Sequence, residues 1–260
     1  MAFESSISRR HVLNLFAGGA ALTLVGPARA GEARIVSLIA VAQKLPTLRQ
    51  RIDFISNALV GSPYRGDTLI GGPHRPEQFV VRDDCFDCMT YCETVLAAAL
   101  AHMPEEYAVI LRQIRYRDGA VAWRARNHYF SEWSANNCAA GICDPVTLPG
   151  GETIARTLTE MRALGPMRTS FTAVPRASVL ANKALLATGD IIAFVSPRSD
   201  LDVFHVGFVV VDRDGALWLR HAARSKGHVV ETPLARFIAR YRVQAVALWR
   251  PRDPADDVIV

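Results

Sequence analysis

No cluster of lysines and arginines stands out in this chain of 260 residues. Basic residues outnumber acidic ones by only 30 to 25, and the excess behind a pI of about 9.1 is spread along the sequence. A nucleic-acid reader concentrates its positive charge on one stripe or helix, so no nucleic-acid partner is expected. Long apolar runs are also scarce. The one near the N-terminus ends at Val25 and is too short for the ~20 residues of a membrane-spanning helix. Cysteine is limited to five positions, and no spacing among them matches a strong zinc or iron–sulfur signature. Half of the residues are apolar, enough to bury a core as one domain or at most two.

The N-terminal run reads as an export signal. Ser8-Arg9-Arg10-His11-Val12-Leu13 precedes it and Pro27-Ala28-Arg29-Ala30 follows, giving a basic start, a short apolar core and an A-x-A site. The arginine pair resembles the twin-arginine motif. Residues 1–30 are therefore expected to be removed after Ala30, leaving residues 31–260 as a single periplasmic catalytic domain, monomeric and free of the membrane. Export to an oxidising compartment lets disulfides persist. Cys138 and Cys143 flank the small-residue loop Ala139-Ala140-Gly141-Ile142 and are the expected pair.

The apolar period is helical first and strand-like later. Residues 33–45 and 47–59 read as helices split by Pro46, with Leu48, Ile52, Ile55 and Leu59 on one face. Gly61-Ser62-Pro63-Tyr64 opens a loop that runs to a strand expected at Gln78-Phe79-Val80-Val81. Pro104 starts another helix. Residues 136–175 carry few periodic signals and read as an extended insertion able to wall a groove. Strands follow at 190–195, 204–211, 216–223 and 243–249, with Asp212-Arg213-Asp214-Gly215 as a hairpin turn. Helices first and strands afterwards predict an α+β fold with an antiparallel sheet.

The chemistry centres on Asp84-Cys85-Phe86-Asp87-Cys88, which runs into the strong helix formers of residues 95–101. A helix starting at Asp87 or Cys88 places Cys88 in its first turn, where free N–H groups and the helix dipole favour a thiolate, so a lowered pKa is expected. Cys85, Cys88 and Cys92 at i, i+3 and i+7 could instead pave one buried face, or serve an exported metal-binding or redox protein. A nucleophile needs a base, and that base needs an orienting partner. His205 near the start of one strand and His221 near the end of the next fall at the same end of a hairpin, and Cys88, His205 and His221 fill the three roles.

Gly61-Ser62-Pro63-Tyr64, Phe86-Asp87-Cys88-Met89-Thr90-Tyr91, Leu201-Asp202-Val203-Phe204-His205-Val206-Gly207 and His221-Ala222 resemble the NlpC-type branch of papain-like cell-wall amidases and peptidases. With His128-Tyr129-Phe130-Ser131-Glu132-Trp133 and Leu248-Trp249-Arg250, they are closer still to a branch long labelled a domain of unknown function. The resemblance implies a papain-like fold and N-acetylmuramoyl-L-alanine amidase activity on peptidoglycan fragments through a thioester, without metal or cofactor. It makes Cys88 the nucleophile, His205 the base and His221 the orienting residue, with Tyr64 beside the thiol. Asp87 is added to the substrate-binding set. His128, Tyr129 and Trp133 offer aromatic faces for a sugar. Residue chemistry alone leaves open a γ-D-glutamyl endopeptidase with the same triad. The sequence departs from the branch at Tyr91, Cys92 and Ala223.

Overall fold

The computed structural model describes residues 32–252, so the export segment expected over 1–30 lies outside the described residues. Helices α1 (Ala33–Ala42) and α2 (Leu48–Ala58) bury Ile35, Ile39, Ile52 and Ile55, and Thr47 caps α2 by accepting the Gln50 N–H. Strands β1 (Ile70–Gly72) and β2 (Arg75–Gln78) form a small hairpin. The strand expected at 78–81 meets it only at Gln78, and Phe79–Val81 run as irregular chain.

Helix α3 (Cys88–Leu100) is the centre of the molecule. Every side chain from Thr90 to Leu100 is buried, so the helix is core on all faces instead of amphipathic. Its one buried carboxylate, Glu93, accepts from Arg115 Nε at 2.7 Å, and Arg115 Nη1 also donates to the Val80 carbonyl at 2.6 Å. Arg115 ends α4 (Tyr107–Arg115), and α5 (Phe130–Ala139) follows.

The strands are β3 (Cys143–Pro145), β4 (Glu152–Leu158), β5 (Met167–Pro175), β6 (Ile191–Val195), β7 (Val203–Val211), β8 (Leu217–Ala223), β9 (His228–Pro233) and β10 (Ala245–Pro251). They form one sheet in the order β4-β5-β10-β6-β7-β8-β9, with β3 also on β10. All its pairings are antiparallel. Two short helices, α6 (Arg176–Ala181) and α7 (Leu234–Arg240), complete the chain. The architecture is α+β, helices on an antiparallel sheet, as the change of period predicts.

Alternation along the strands makes two cores. Ile191, Ala193, Val206, Phe208 and Ala222 face α3. Ile192, Phe194, Val209 and Leu219 face α7, where Leu234, Phe237 and Ile238 cover them. The region read as an extended insertion, residues 136–175, contains the β4–β5 hairpin, paired through seven residues on each strand. It extends the sheet beyond β10 and docks on the β6–β7 connection, where Arg156 Nη2 donates to the Ser196 carbonyl at 2.8 Å and Thr159 N–H to the Asp200 carbonyl at 3.0 Å.

Candidate active site

The start of α3 is fixed by its own sequence. The Asp87 side chain accepts the Thr90 N–H at 2.7 Å, and the Thr90 hydroxyl accepts the Asp87 N–H at 2.9 Å, a reciprocal capping box. Asp87 is therefore the helix cap, its Oδ1 engaged by Thr90. Cys88 follows as the first helical residue. Upstream, the Gly61-Ser62-Pro63-Tyr64 loop ties this start to the far edge of the sheet. Tyr64 N–H donates to the Gly227 carbonyl at 2.8 Å and Phe86 N–H to the Pro63 carbonyl at 3.0 Å. Tyr64 lies close enough to feel the charge of Cys88, Asp87 and Arg224, and burial foremost raises its phenol pKa. The phenol therefore keeps its proton at neutral pH.

The β7–β8 ladder runs from Val211 opposite Leu217 to Phe208 opposite Arg220, and no further pair follows towards His205 and His221. Val206, beyond the last pair, brings its backbone N–H near enough to the Cys88 sulfur to favour the thiolate. The sulfur thus meets β7 at the residue after His205, where β8 has left the ladder. On the α7 side of that split, His205 Nε2 lies 2.6 Å from His221 Nδ1, the juxtaposition the hairpin reading predicts. His221 Nε2 in turn lies 3.4 Å from Thr232 Oγ1 on β9.

Packing accounts for the placement of both imidazoles. The His205 ring lies beside the packed pair Phe194, 6.2 Å away, and Phe237, 5.4 Å away, nearly parallel to each. His221 meets Phe237 edge-on at 5.3 Å. An apolar cage disfavours the charged ring. Burial lowers His205 to about 3, with the neighbouring His221 adding to the shift, and lowers His221 to about 4. Gly207 allows the approach, because a Cβ there would stand 2.8 Å from the Arg220 carbonyl and 2.9 Å from His221 Cβ. The next strand position, Arg220, points the other way. Buried, it donates to Glu231 Oε1 at 2.8 and 2.6 Å, to Asp53 Oδ1 at 2.8 Å and to Ser56 Oγ at 2.6 Å, tying β8 to β9 and α2.

One electrostatic expectation is reversed. Burial, with the Asp87 charge second, pushes the Cys88 thiol up to about 12, against backbone N–H groups of Val206, Met89 and Cys88 that pull it down. Desolvation of a thiolate therefore outweighs the favourable helix start, and Cys88 rests as a neutral thiol. Cys85 and Cys92 are buried, with pKa values raised by burial. Among the described residues, no group of three His, Cys, Asp or Glu could hold a metal ion, which leaves the metal alternative without a donor set there.

Two further expectations are corrected. Cys138 and Cys143 are free thiols, their sulfurs 3.7 Å apart in a hydrogen bond. The loop does bring them together, but not as a disulfide. Trp133 and Tyr129 are core residues at 0% and 2% exposure, and His128 hydrogen-bonds the Trp123 carbonyl at 2.7 Å while packing on the Trp123 ring. A fully buried indole offers no face to a sugar. Trp133 stacks on Phe130, and the Tyr129 hydroxyl accepts the Met161 N–H from the hairpin at 2.8 Å. Phe237 and Thr232 were not foreseen, since neither stands in a motif. Only the helix-forming Leu234-Ala235-Arg236-Phe237 that follows Pro233 hinted at an apolar cover for the sheet.

Comparison with known proteins matches residues 54–244 to a family described as AmiA-like, N-acetylmuramoyl-L-alanine amidase-like. Among solved structures, a Legionella pneumophila protein from a domain-of-unknown-function family superposes with a TM-score of 0.76 at 21% identity, covering 85% of this chain and 94% of that one. An N-acetylmuramoyl-L-alanine amidase from Bacteroides uniformis gives 0.68 at 24% identity, covering 79% and 99%. A putative xylanase from Bacteroides fragilis gives 0.64 at 25% identity, covering 75% and 98%. Functionally curated proteins gave no match.

Proposed function

Because the chain belongs to the AmiA-like, N-acetylmuramoyl-L-alanine amidase-like family, we propose that it is a cysteine amidase that cleaves the bond between muramic acid and the L-alanine of the stem peptide, in the manner of papain-like NlpC-type enzymes. The observation that carries the mechanism is the 2.6 Å contact of His205 Nε2 with His221 Nδ1 beside the strand position that holds the Cys88 sulfur. With Nε2 committed to His221, Nδ1 is the ring nitrogen left for the thiol. His205 then donates Nε2–H to His221, which donates its own Nε2–H towards the Thr232 hydroxyl.

Both imidazoles are neutral at pH 7, and so is the thiol. The proton therefore moves from Cys88 to His205 as the sulfur attacks, instead of resting in a preformed ion pair. The S–C bond forms, and the developing oxyanion is met by the Cys88 N–H and the Tyr64 O–H. His205 delivers its proton to the departing nitrogen as the C–N bond breaks. Water then hydrolyses the thioester, one proton returning to sulfur through His205. The reaction belongs to the periplasm, where the export segment read at residues 1–30 would deliver the chain.

The test is incubation with defined muropeptides and mass analysis of the products. The muramoyl-L-alanine amide should be cut by the mature protein and left intact by Cys88→Ala and His205→Ala. His221→Ala should lose less than either, about 10⁴-fold, since an orienting group is partly replaceable. Cleavage after D-glutamate with the muramoyl bond intact would make it an endopeptidase. Full activity in a folded Cys88→Ala variant would remove the mechanism.

A further inference from the structure

Cys138 lies in the last turn of α5 and Cys143 opens β3, and their sulfurs stand 3.7 Å apart. The backbone holds them there from both sides. The turn between them is closed by Gly141 N–H to the Cys138 carbonyl at 3.0 Å and Ile142 N–H to the Asn137 carbonyl at 2.9 Å. Gly141 supplies the left-handed φ of 74° that this exit from a helix requires. On the helix side, Asn137 Nδ2 donates to the Ile114 and Trp133 carbonyls at 3.1 and 2.8 Å. On the strand side, Cys143 lies opposite Pro251 in the β3–β10 ladder. The two thiols are unequal, for Cys138 is half-buried and Cys143 is fully buried.

We propose that Cys138 and Cys143 form a redox-active dithiol, Cys138 the attacking thiol and Cys143 the resolving one, which closes into a disulfide at the expense of a second, external disulfide. Exposure sets the order. Of the two, Cys138 alone presents its sulfur to a reagent in solvent, and Cys143 is reached through Cys138. The hydrogen bond from Cys143 holds the Cys138 thiol below its usual pKa, while the same bond and then burial push Cys143 up, so the thiolate of the pair forms on the residue that attacks. The Cys138 thiolate attacks one sulfur of the oxidant, whose S–S bond breaks and releases a thiolate. Cys143 gives its proton to that thiolate and attacks the Cys138 sulfur. The second thiolate leaves and takes the proton that Cys138 had lost. The protein thus gives up two electrons and two protons, and the oxidant becomes two thiols. From 3.7 Å the sulfurs reach the roughly 2 Å of a disulfide by a small turn of the two side chains. The new bond ties the last turn of α5 to β3, a strand paired with β10 through three residues.

The test incubates the full chain with glutathione disulfide, maps its peptides without reduction and compares thermal melts of the oxidised and reduced forms. The wild-type map should show Cys138 joined to Cys143 with two hydrogens lost. The oxidised form should melt about 5 °C above the reduced one, the scale of a bond closing a short loop in a chain of this size. Cys143→Ala should stop at glutathione on Cys138, and Cys138→Ala should take up none on Cys143. A persistent glutathione adduct on wild-type Cys138, no reaction at either thiol, or equal Tm for the two forms overturns the proposal, and the wild-type protein alone supplies these results. Glutathione on Cys143 in Cys138→Ala overturns the attacking and resolving roles. None of these readouts involves Cys88, so the dithiol and the amidase reading stand or fall separately.

Discussion

Asp202 accepts the Ser131 N–H at 2.6 Å through Oδ2 and the Val203 N–H at 2.7 Å through Oδ1, with no exposure to solvent. One carboxylate, three positions before His205, thus joins the first turn of α5 to the first residue of β7. Two sequence segments that look unrelated, 128–133 and 201–207, are the two ends of this one contact. The negative charge also lies at the positive end of a helix.

Asp202→Ala should leave one buried and one half-buried N–H group without partners and cost about 3 kcal/mol, at about 1–3 for each group. In a domain of this size that lowers Tm by about 10 °C. Asp202→Asn keeps one acceptor and should lose about half as much. Thermal melts decide the matter, and an unchanged Tm in Asp202→Ala would show that the contact does not hold β7.

Gly207→Ala places a methyl 2.9 Å from His221 Cβ and 2.8 Å from the Arg220 carbonyl. β8 must shift or His221 must turn away from His205, and a misplacement of this order costs about 100-fold in rate. Activity should therefore fall by far more than the loss of folded protein explains. A stable Gly207→Ala protein with normal kcat would mean that the histidine pair tolerates displacement.

The pH dependence follows from the buried histidines, held at about 3 for His205 and about 4 for His221. Below about pH 6.5 the unfolded chain takes up protons on these residues while the native chain does not, so their contribution to stability is complete above 6.5 and is lost as pH falls towards 4 and then 3. A neutral base remains in place over the same window. The acid limb of kcat/KM should lie below about pH 5, with no inflection near 6.5. A profile with its midpoint near 6.5 would show a solvated, ordinary imidazole.

Thiol chemistry separates the two cysteine groups. Cys138, half-buried, has its pKa lowered by the Cys143 thiol, whereas Cys88 is pushed up to about 12. Iodoacetamide at pH 7 should label Cys138 before Cys88, and the Cys88 rate should climb steadily as the medium is made alkaline. Timed peptide mapping measures both. Rapid, pH-independent labelling of Cys88 between pH 7 and 9 would reveal a preformed thiolate.

The sequence by itself determined the local parts of this protein. Asp87 and Thr90 three residues apart dictate a capping box, and the helix formers behind them dictate α3, so Cys88 at a helix start was legible before any fold was known. Short apolar runs dictated β6, β7, β8 and β10, and a single hairpin then put His205 and His221 at one end of it. These features need only neighbours in sequence or across one turn. What depends on distant segments was decided by the tertiary structure. Trp133 and Tyr129 have the chemistry of a sugar platform, but packing on Phe130 and docking of the β4–β5 hairpin bury them. Cys88 has the helix position of a thiolate, but the desolvation imposed by the closing sheet outweighs the dipole. Phe237 and Thr232 join the histidines only because α7 folds back over the sheet and β9 pairs beside β8. Local hydrogen bonding and periodicity are written in the order of residues, whereas burial, which sets the charge of Cys88, His205 and His221, is a property of the assembled core.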